Sequence, residues 1–306
     1  MFNLSLNNKT QQSVEQAISD HGLQPDFYAT VEQFYAPLAQ WIEQRVVNQS
    51  PHIVGIQGSQ GSGKSTCAHF LKILLEQQAN LTVAVVSLDD FYLTLAERQR
   101  LAKFMHPLLE TRGVPGTHDV ELIKTTFDAV RGGYALSVPT FSKANDDRAP
   151  RTDWQSLAAT TNVLIFEGWC VGVRPQDASD LAEPANDLEA LEDQHGIWRG
   201  YVNDQLAHEY HEVFEQLNTL VALQAPSFDC VYEWRLLQEQ KLISKLEKSG
   251  KDATAVQTPE QLQRFIAHYQ RLTEHALKTM PNQADAVLHL AADHTYKQLQ
   301  LNGSKE

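Results

Sequence analysis

The sequence predicts an α/β sandwich of three layers: a five-stranded parallel sheet between helices, with a helical N-terminal extension (residues 1–50) and a lid (residues 226–258). Two observations carry this. Five short, continuously apolar runs alternate with stretches whose apolar residues recur at helical spacing, the pattern of strands buried on both faces. The first run ends in a glycine-rich turn that leads straight into a helical pattern. The 306 residues, 42% of them hydrophobic, are read as one domain with a sizeable core.

Residues 11–50 read as helical, because Phe34, Leu38, Trp41, Ile42 and Val46 share a helical face and Pro51 closes the segment. His52-Ile53-Val54-Gly55-Ile56-Gln57 is the first buried strand. Next come Gly58, Ser59, Gln60, Gly61, Ser62, Gly63, Lys64, Ser65 and Thr66, which fit G-x-x-x-x-G-K-[ST], and a helix from Cys67 to Leu75. A strand, a glycine loop and a helix in that order make a phosphate cradle, the P-loop. The glycines let backbone N–H groups converge, and the helix N-terminus adds positive partial charge. In that setting Lys64 reaches the β- and γ-phosphates of ATP, and the Ser65 hydroxyl ligates Mg²⁺. The other four strands are Leu81–Leu88, Asn162–Glu167, Thr219–Gln224 and Ala284–Leu290. Residues 177–193 are acidic and read as a solvated insertion; residues 245–258 read as a polar loop.

Composition removes several function classes. The formal charge is −13, from 38 acidic and 25 basic residues, which disfavours nucleic acid and anionic membrane as partners. No run approaches the about 20 apolar residues of a membrane span. Cys67, Cys170 and Cys230 have no paired spacing, so a reducing, cytoplasmic setting is expected, with Cys67 a small buried residue. Neither a Gly-x-Ser-x-Gly elbow nor an Asn-Lys-x-Asp guanine-reading motif is present. His208 and His211 sit at i, i+3 on a helical pattern without an H-e-x-x-H arrangement, and read as a solvated face.

Ligands of open parallel sheets sit beyond the C-terminal ends of the strands, and polar clusters fall there. After the second strand comes Ser87-Leu88-Asp89-Asp90-Phe91-Tyr92, where a carboxylate can face the γ-phosphate and take a proton from a hydroxyl; a helix N-cap is the alternative for the same Asp. After the third, Glu167 ends an apolar strand, placed to hold Mg²⁺ or its water. After the fourth, Gln224-Ala225-Pro226 leads to Trp234, Arg235, Lys241 and Lys245. Basic residues there can close over the phosphates, Arg235 foremost; a solvated amphipathic helix is the alternative for the two lysines. Between the second and third strands, Arg112–Asp119 and Val138–Pro150 mix Gly and Pro turns with charged residues, which suits a small polar acceptor or an ordinary surface loop.

Taken together, Gly58–Thr66, Leu88–Tyr92, Arg112–Asp119, Pro139-Thr140-Phe141, Phe166–Cys170, Tyr201-Val202-Asn203 and Leu223–Pro226 resemble the D-glycerate 3-kinase family, over about residues 35–300. That family is similar in fold to uridine kinase, phosphoribulokinase and bacterial pantothenate kinase. The resemblance implies that Asp89 is the general base and Glu167 the acid near Mg²⁺. It puts Arg235 in the lid, and His118, Asp119, Lys143 and Arg148 in segments that shape the acceptor site. The chain has Phe141-Ser142-Lys143 where the family tends to have Phe-Asp-Lys. The reading is therefore an ATP- and Mg²⁺-dependent kinase of a small hydroxylated metabolite, D-glycerate being favoured. Lys64, Asp89 and Arg235 act in catalysis; Asp89, Tyr92, Arg112, His118, Asp119, Lys143 and Arg148 line the acceptor site. Arg148, Lys143 or Arg112 offers a cation to a glycerate carboxylate. A nucleoside, pantothenate or a sugar as acceptor is one alternative. A nucleotide-binding regulator with little turnover is the other, and the pairing of Asp89 with Glu167 speaks against it.

Overall fold

The computed structural model describes residues 6–46, 50–237 and 258–302. The chain opens with helices α1 (Asn8–Asp20), α2 (Phe27–Thr30) and α3 (Ala36–Glu43), the last two joined by a π-helical stretch at Val31–Tyr35. The expected helical extension is thus broken at residues 21–26, where Gly22 takes φ 63° and Pro25 follows, and it ends at Glu43 rather than running on to Pro51.

Next come β1 (His52–Gly58), α4 (Lys64–Gln78), β2 (Val83–Ser87), a 3₁₀ turn (Leu88–Phe91), α5 (Leu95–Phe104) and α6 (Val120–Arg131). Two small ribbons follow. One pairs β3 (Leu136–Val138) with β6 (Gln155–Leu157), and the other pairs β4 (Phe141–Ser142) with β5 (Asp147–Arg148). The chain continues through β7 (Val163–Gly168), α7 (Asp187–Glu192), α8 (Ile197–Ala207), α9 (Glu209–Phe214), β8 (Thr219–Gln224) and a helix over 228–237, here α10. It closes with α11 (Pro259–Gln283), β9 (Ala286–Leu290) and β10 (Tyr296–Leu301).

The main sheet runs in the order β10-β9-β8-β1-β7-β2. Its five expected strands are all parallel, and β10 joins antiparallel to β9 at the edge. That sixth strand escaped the sequence reading because it is half-exposed and polar, Tyr-Lys-Gln-Leu-Gln-Leu, while the reading looked for continuous apolar runs.

Successive strand residues feed opposite faces. Ile53, Leu164 and Phe166 pack with Phe127, Trp169, Tyr210 and Tyr269 on one side. Val54, Ile56, Val163 and Ile165 pack with Trp41, Phe70, Leu71 and Trp234 on the other. Cys67, Cys170 and Cys230 are buried free thiols. Among the described residues no helix is long and apolar enough to cross a membrane.

One reading of surface character is corrected. The acidic stretch 177–193 is not simply solvated. Glu189 is fully buried and clamped by Arg271 of α11, whose Nη2 donates to Oε2 at 2.6 Å; Asp193 is buried against Arg199 at 3.0 Å. Charges are buried there because each has a guanidinium and backbone donors to meet it. His208 and His211 are both exposed, as expected, but they do not lie on one helix: His208, at φ −120° and ψ −88°, is the break between α8 and α9. Its Nδ1 lies 2.8 Å from the Asp204 carbonyl, whereas His211 faces Glu215. Lys241, Lys245 and most of the lid and polar-loop segments, residues 238–257, lie outside the described residues.

Arg271→Met strands the Glu189 carboxylate in the interior. The expected loss is about 3–5 kcal/mol of unfolding free energy, read as a lowered urea midpoint with unchanged slope; a variant as stable as the parent contradicts the clamp.

Candidate active site

The phosphate loop is shaped by backbone conformation before side chains enter. Gly61 (φ 81°) and Gly63 (φ 90°) occupy the left-handed region. A Cβ on Gly61 would lie 2.8 Å from Trp234 Cβ, so the loop packs directly on α10. The loop is propped from the far side too. His294 Nε2 lies 2.9 Å from the Gly61 carbonyl, and its ring stacks on Trp234 at 4.0 Å between centroids. Trp234 Nε1 donates to the Ala292 carbonyl at 2.7 Å. Lys64 opens α4, with Ser65 and Thr66 behind it and Gln60 on the turn of the loop.

Strand register then sets the acidic groups. Glu167 pairs with Ile56 on one side and Ser87 on the other, one residue short of the end of β7. Ser65 Oγ donates to Glu167 Oε1 at 2.8 Å, and Glu167 Oε2 is buried with no protein partner. A hydroxyl and a carboxylate with an unmet buried oxygen fit Mg²⁺, which takes few protein ligands and completes its shell with phosphate oxygens and water. Among the described residues there is no cluster of three or more His, Cys, Asp or Glu that could hold a metal ion.

Asp89 lies two residues beyond Ser87. Ser87 caps the 3₁₀ turn by accepting the Asp89 N–H at 3.3 Å, so Asp89 is not itself the cap and its carboxylate is free for other contacts. Tyr92 OH donates to Oδ1 at 2.8 Å and Lys143 Nζ to Oδ2 at 2.9 Å. Burial alone would raise the Asp89 carboxyl. The charges of Lys143 and Lys64, with the two hydrogen bonds, overcome burial and hold it well below the usual carboxylate range. Asp90 accepts the Phe141 N–H at 3.0 Å, which ties the β4–β5 ribbon to this edge, yet burial still raises its carboxyl.

The remaining candidates converge on the same edge. His118 stacks on Tyr92 at 4.6 Å and forms a β-bridge with it. Arg148 Nη2 donates to Asp119 Oδ2 and to the Tyr92 carbonyl, each at 3.1 Å, and its Nε is buried without a partner. Asp119 also caps α6 by accepting the Leu122 N–H at 3.1 Å. Arg112 pairs with Asp146, and its guanidinium lies 5.4 Å from the Phe141 ring centroid. The backbone of Arg235 follows Trp234 along the Gly61 contact, with its N 3.6 Å from the Gly61 Cβ position. The Arg235 charge acts on the buried hydroxyl of Tyr269, as do Asp89 and Arg112.

Several supports were not singled out from sequence. Arg98, almost fully buried, donates to the Glu110 and Asp146 carbonyls and pairs with the Asp146 carboxylate at 3.0 Å, fixing both acceptor-side loops at once. Trp169 Nε1 donates to the Gly113 carbonyl at 2.8 Å, and Tyr269 OH to the Arg112 carbonyl at 3.0 Å. Gly113, at φ 135°, lies so close to Tyr269 that no side chain fits there. None carried a distinct signal: Arg98 is one of four charged residues on α5, beside Glu97, Arg100 and Lys103, and the aromatic donors read as ordinary core.

Residues 53–183 match the phosphoribulokinase / uridine kinase family model. Over 241 residues the chain is 36% identical to an uncharacterized kinase of Schizosaccharomyces pombe, a match covering 76% of this chain and 83% of that protein. It is 27% identical over 266 residues to the chloroplastic D-glycerate 3-kinase of Arabidopsis thaliana; the match covers 79% of this chain but 53% of the plant protein, about half its length. Among solved structures, D-glycerate 3-kinase from Cryptococcus neoformans shares the fold, with a TM-score of 0.71 at 24% identity over 86% of this chain and 99% of that one. A phosphate loop at the sheet's first crossover, Glu167 near the end of the adjacent strand and these relatives agree: the chain belongs to the phosphoribulokinase / uridine kinase family of P-loop kinases and is an ATP-dependent phosphotransferase.

Proposed function

We propose that the chain transfers the γ-phosphoryl group of ATP to a small hydroxy acid, D-glycerate becoming 3-phosphoglycerate. The observation that carries this is Asp89, a carboxylate held between Tyr92 and Lys143 within reach of the Lys64 charge. The relatives named as D-glycerate 3-kinases add the choice of acceptor.

The loop amides and Lys64 hold the triphosphate. Ser65 and Glu167 hold Mg²⁺, which supplies charge neutralisation when bound. The acceptor oxygen attacks the γ-phosphorus, the bond to the β–γ bridging oxygen breaks, and ADP leaves with that oxygen. The alcohol proton passes to Asp89, and Arg235 offsets charge on the moving phosphoryl group. Such transfer rests mainly on positioning and electrostatics.

The Lys143–Asp89 pair favours an anionic acceptor. While paired, Asp89 is a weak base, because its carboxyl is held low. An acceptor carboxylate draws the exposed Lys143 ammonium to itself and restores the basicity of Asp89. Arg148 and Arg112 stand on the same side to receive the acid group, and His118 and Asp119 complete the lining. Three buried free thiols fit a reducing, cytosolic setting.

Purified protein with ATP, Mg²⁺ and a panel of D-glycerate, pantothenate, uridine and ribose is expected to release ADP with D-glycerate; absence of glycerate-dependent ADP release ends the acceptor assignment. Asp89→Asn is expected to cut kcat by about 10²–10⁴-fold while ADP affinity by calorimetry stays within about twofold, and a matched loss of both contradicts the base role. Lys143→Met removes a charge and a hydrogen bond that hold the Asp89 carboxyl down. Its pKa rises, so the protonated, inactive form persists to higher pH and the acid limb of kcat/KM shifts upward. An acid limb that stays in place contradicts the pairing.

A further inference from the structure

Resting on the reading of this edge as the acceptor site, we infer that Tyr210 is a positioning residue: its hydroxyl fixes His118 in the tautomer that carries hydrogen on Nε2, making His118 an obligate hydrogen-bond donor to an acceptor oxygen. The argument is a count of donors and acceptors. A phenol offers one O–H and two lone pairs. The Tyr210 oxygen accepts the Gly116 N–H at 3.0 Å. The phenol is buried, and among the described residues its hydrogen has one acceptor within hydrogen-bond distance, His118 Nδ1 at 2.6 Å, so the hydroxyl donates and Nδ1 accepts. The neutral ring then carries its hydrogen on Nε2.

That Nε2 is buried, in a ring 4% exposed, and has no protein partner. An unmet buried donor carries the full cost of desolvation, which an arriving ligand oxygen relieves. The surroundings keep the ring neutral. Tyr92 stacks on one face, Tyr210 crosses it at 74°, Cys170 and Tyr201 lie behind Tyr210, and Asp89 is the charged group that acts on it. Burial lowers the imidazole more strongly than Asp89 raises it, to about 3. A protonated Nδ1 would also leave the buried phenol hydrogen without an acceptor. A donor that cannot accept selects carboxylate, carbonyl or hydroxyl oxygen, and discriminates against an ammonium at the same place. Tyr210 lies 92 residues from His118 on α9, so nothing in sequence links the two.

The test uses the full chain with ¹⁵N-labelled histidine, the His118 signals being those lost in His118→Gln. Expected is a bare Nδ1 and a protonated Nε2 throughout about pH 5–8, the range in which an ordinary imidazole titrates. A hydrogen on Nδ1, or titration within that range, overturns the inference. In kinetics, Tyr210→Phe is expected to raise acceptor KM about tenfold, the worth of one hydrogen bond, with kcat and ADP affinity nearly unchanged and a new pH dependence of KM. Unchanged KM overturns it. If Tyr210→Phe fails to fold, His118→Gln and His118→Leu decide the matter: Gln, which keeps an N–H near Nε2, should retain most acceptor affinity and Leu should lose it, and equal KM values sink the proposal. The NMR arm needs no turnover. A wrong tautomer therefore fails this inference alone, while the expected tautomer without glycerate phosphorylation fails only the acceptor assignment.

Discussion

The register between β1, β7 and β2 is the constraint on which the site depends. Three adjacent parallel strands end together, so Ile56, Glu167 and Ser87 lie in step at one edge, with Gly58 two residues beyond Ile56. The 2.8 Å hydrogen bond from Ser65 to Glu167 closes that arrangement by tying the first turn of α4 to the neighbouring strand. A slip of one residue would turn Glu167 to the opposite face of the sheet and bring Phe166, which packs in the core, to its place. The apolar alternation on both faces makes that slip costly: burying a Phe side chain is worth about 1.5–3 kcal/mol. The core therefore fixes the chemistry indirectly, by allowing one register.

On that frame the acceptor side is built from loops, and buried charge does the work that strands do elsewhere. Arg98 gathers the carbonyls of Glu110 and Asp146 and the Asp146 carboxylate, so the segment after α5 and the β4–β5 turn move as one unit. Asp90 holds the Phe141 N–H, and Asp147 accepts the Leu95 N–H at 3.0 Å, fastening the ribbon at both ends. Each pairing is satisfied on several sides, the condition under which buried ions are tolerated. Five of the buried polar atoms without a protein hydrogen bond — Ser59 and Ser62 Oγ, Glu167 Oε2, His118 Nε2 and Arg148 Nε — belong to residues of the proposed phosphate, metal and acceptor site.

The parts of this molecule set by local sequence were legible in it. Gly58–Thr66 announced its loop, because left-handed glycines and a following helix are short-range requirements. The five parallel strands were legible because each is buried on both faces and reads as an apolar run. Strand β10 was not, since an antiparallel edge strand alternates and this one carries Lys297 and Gln298 outward. The acidic stretch was misread because burial of Glu189 depends on Arg271, 82 residues away. Asp89 and Lys143, 54 residues apart, were both named as candidates, but their mutual contact comes only from the β4–β5 ribbon folding over the end of β2.

That contact bears on how one edge serves two anions. ATP and a carboxylate acceptor both need positive charge, yet the cations near Asp89 and Asp119 are already paired with those carboxylates. The pairs differ in exposure. Arg148, with 15% of its side chain exposed and a second hydrogen bond to the Tyr92 carbonyl, stays fixed when solvent or ligand competes. Lys143 is 66% exposed on a flexible stem and is bound to the protein only through Asp89 among these contacts, so an incoming anion can draw it away at small cost. In the proposed reaction, fixed guanidinium and movable ammonium would then divide the labour: one would mark where the acid group of the acceptor lies, and the other would leave the base free once that group has arrived.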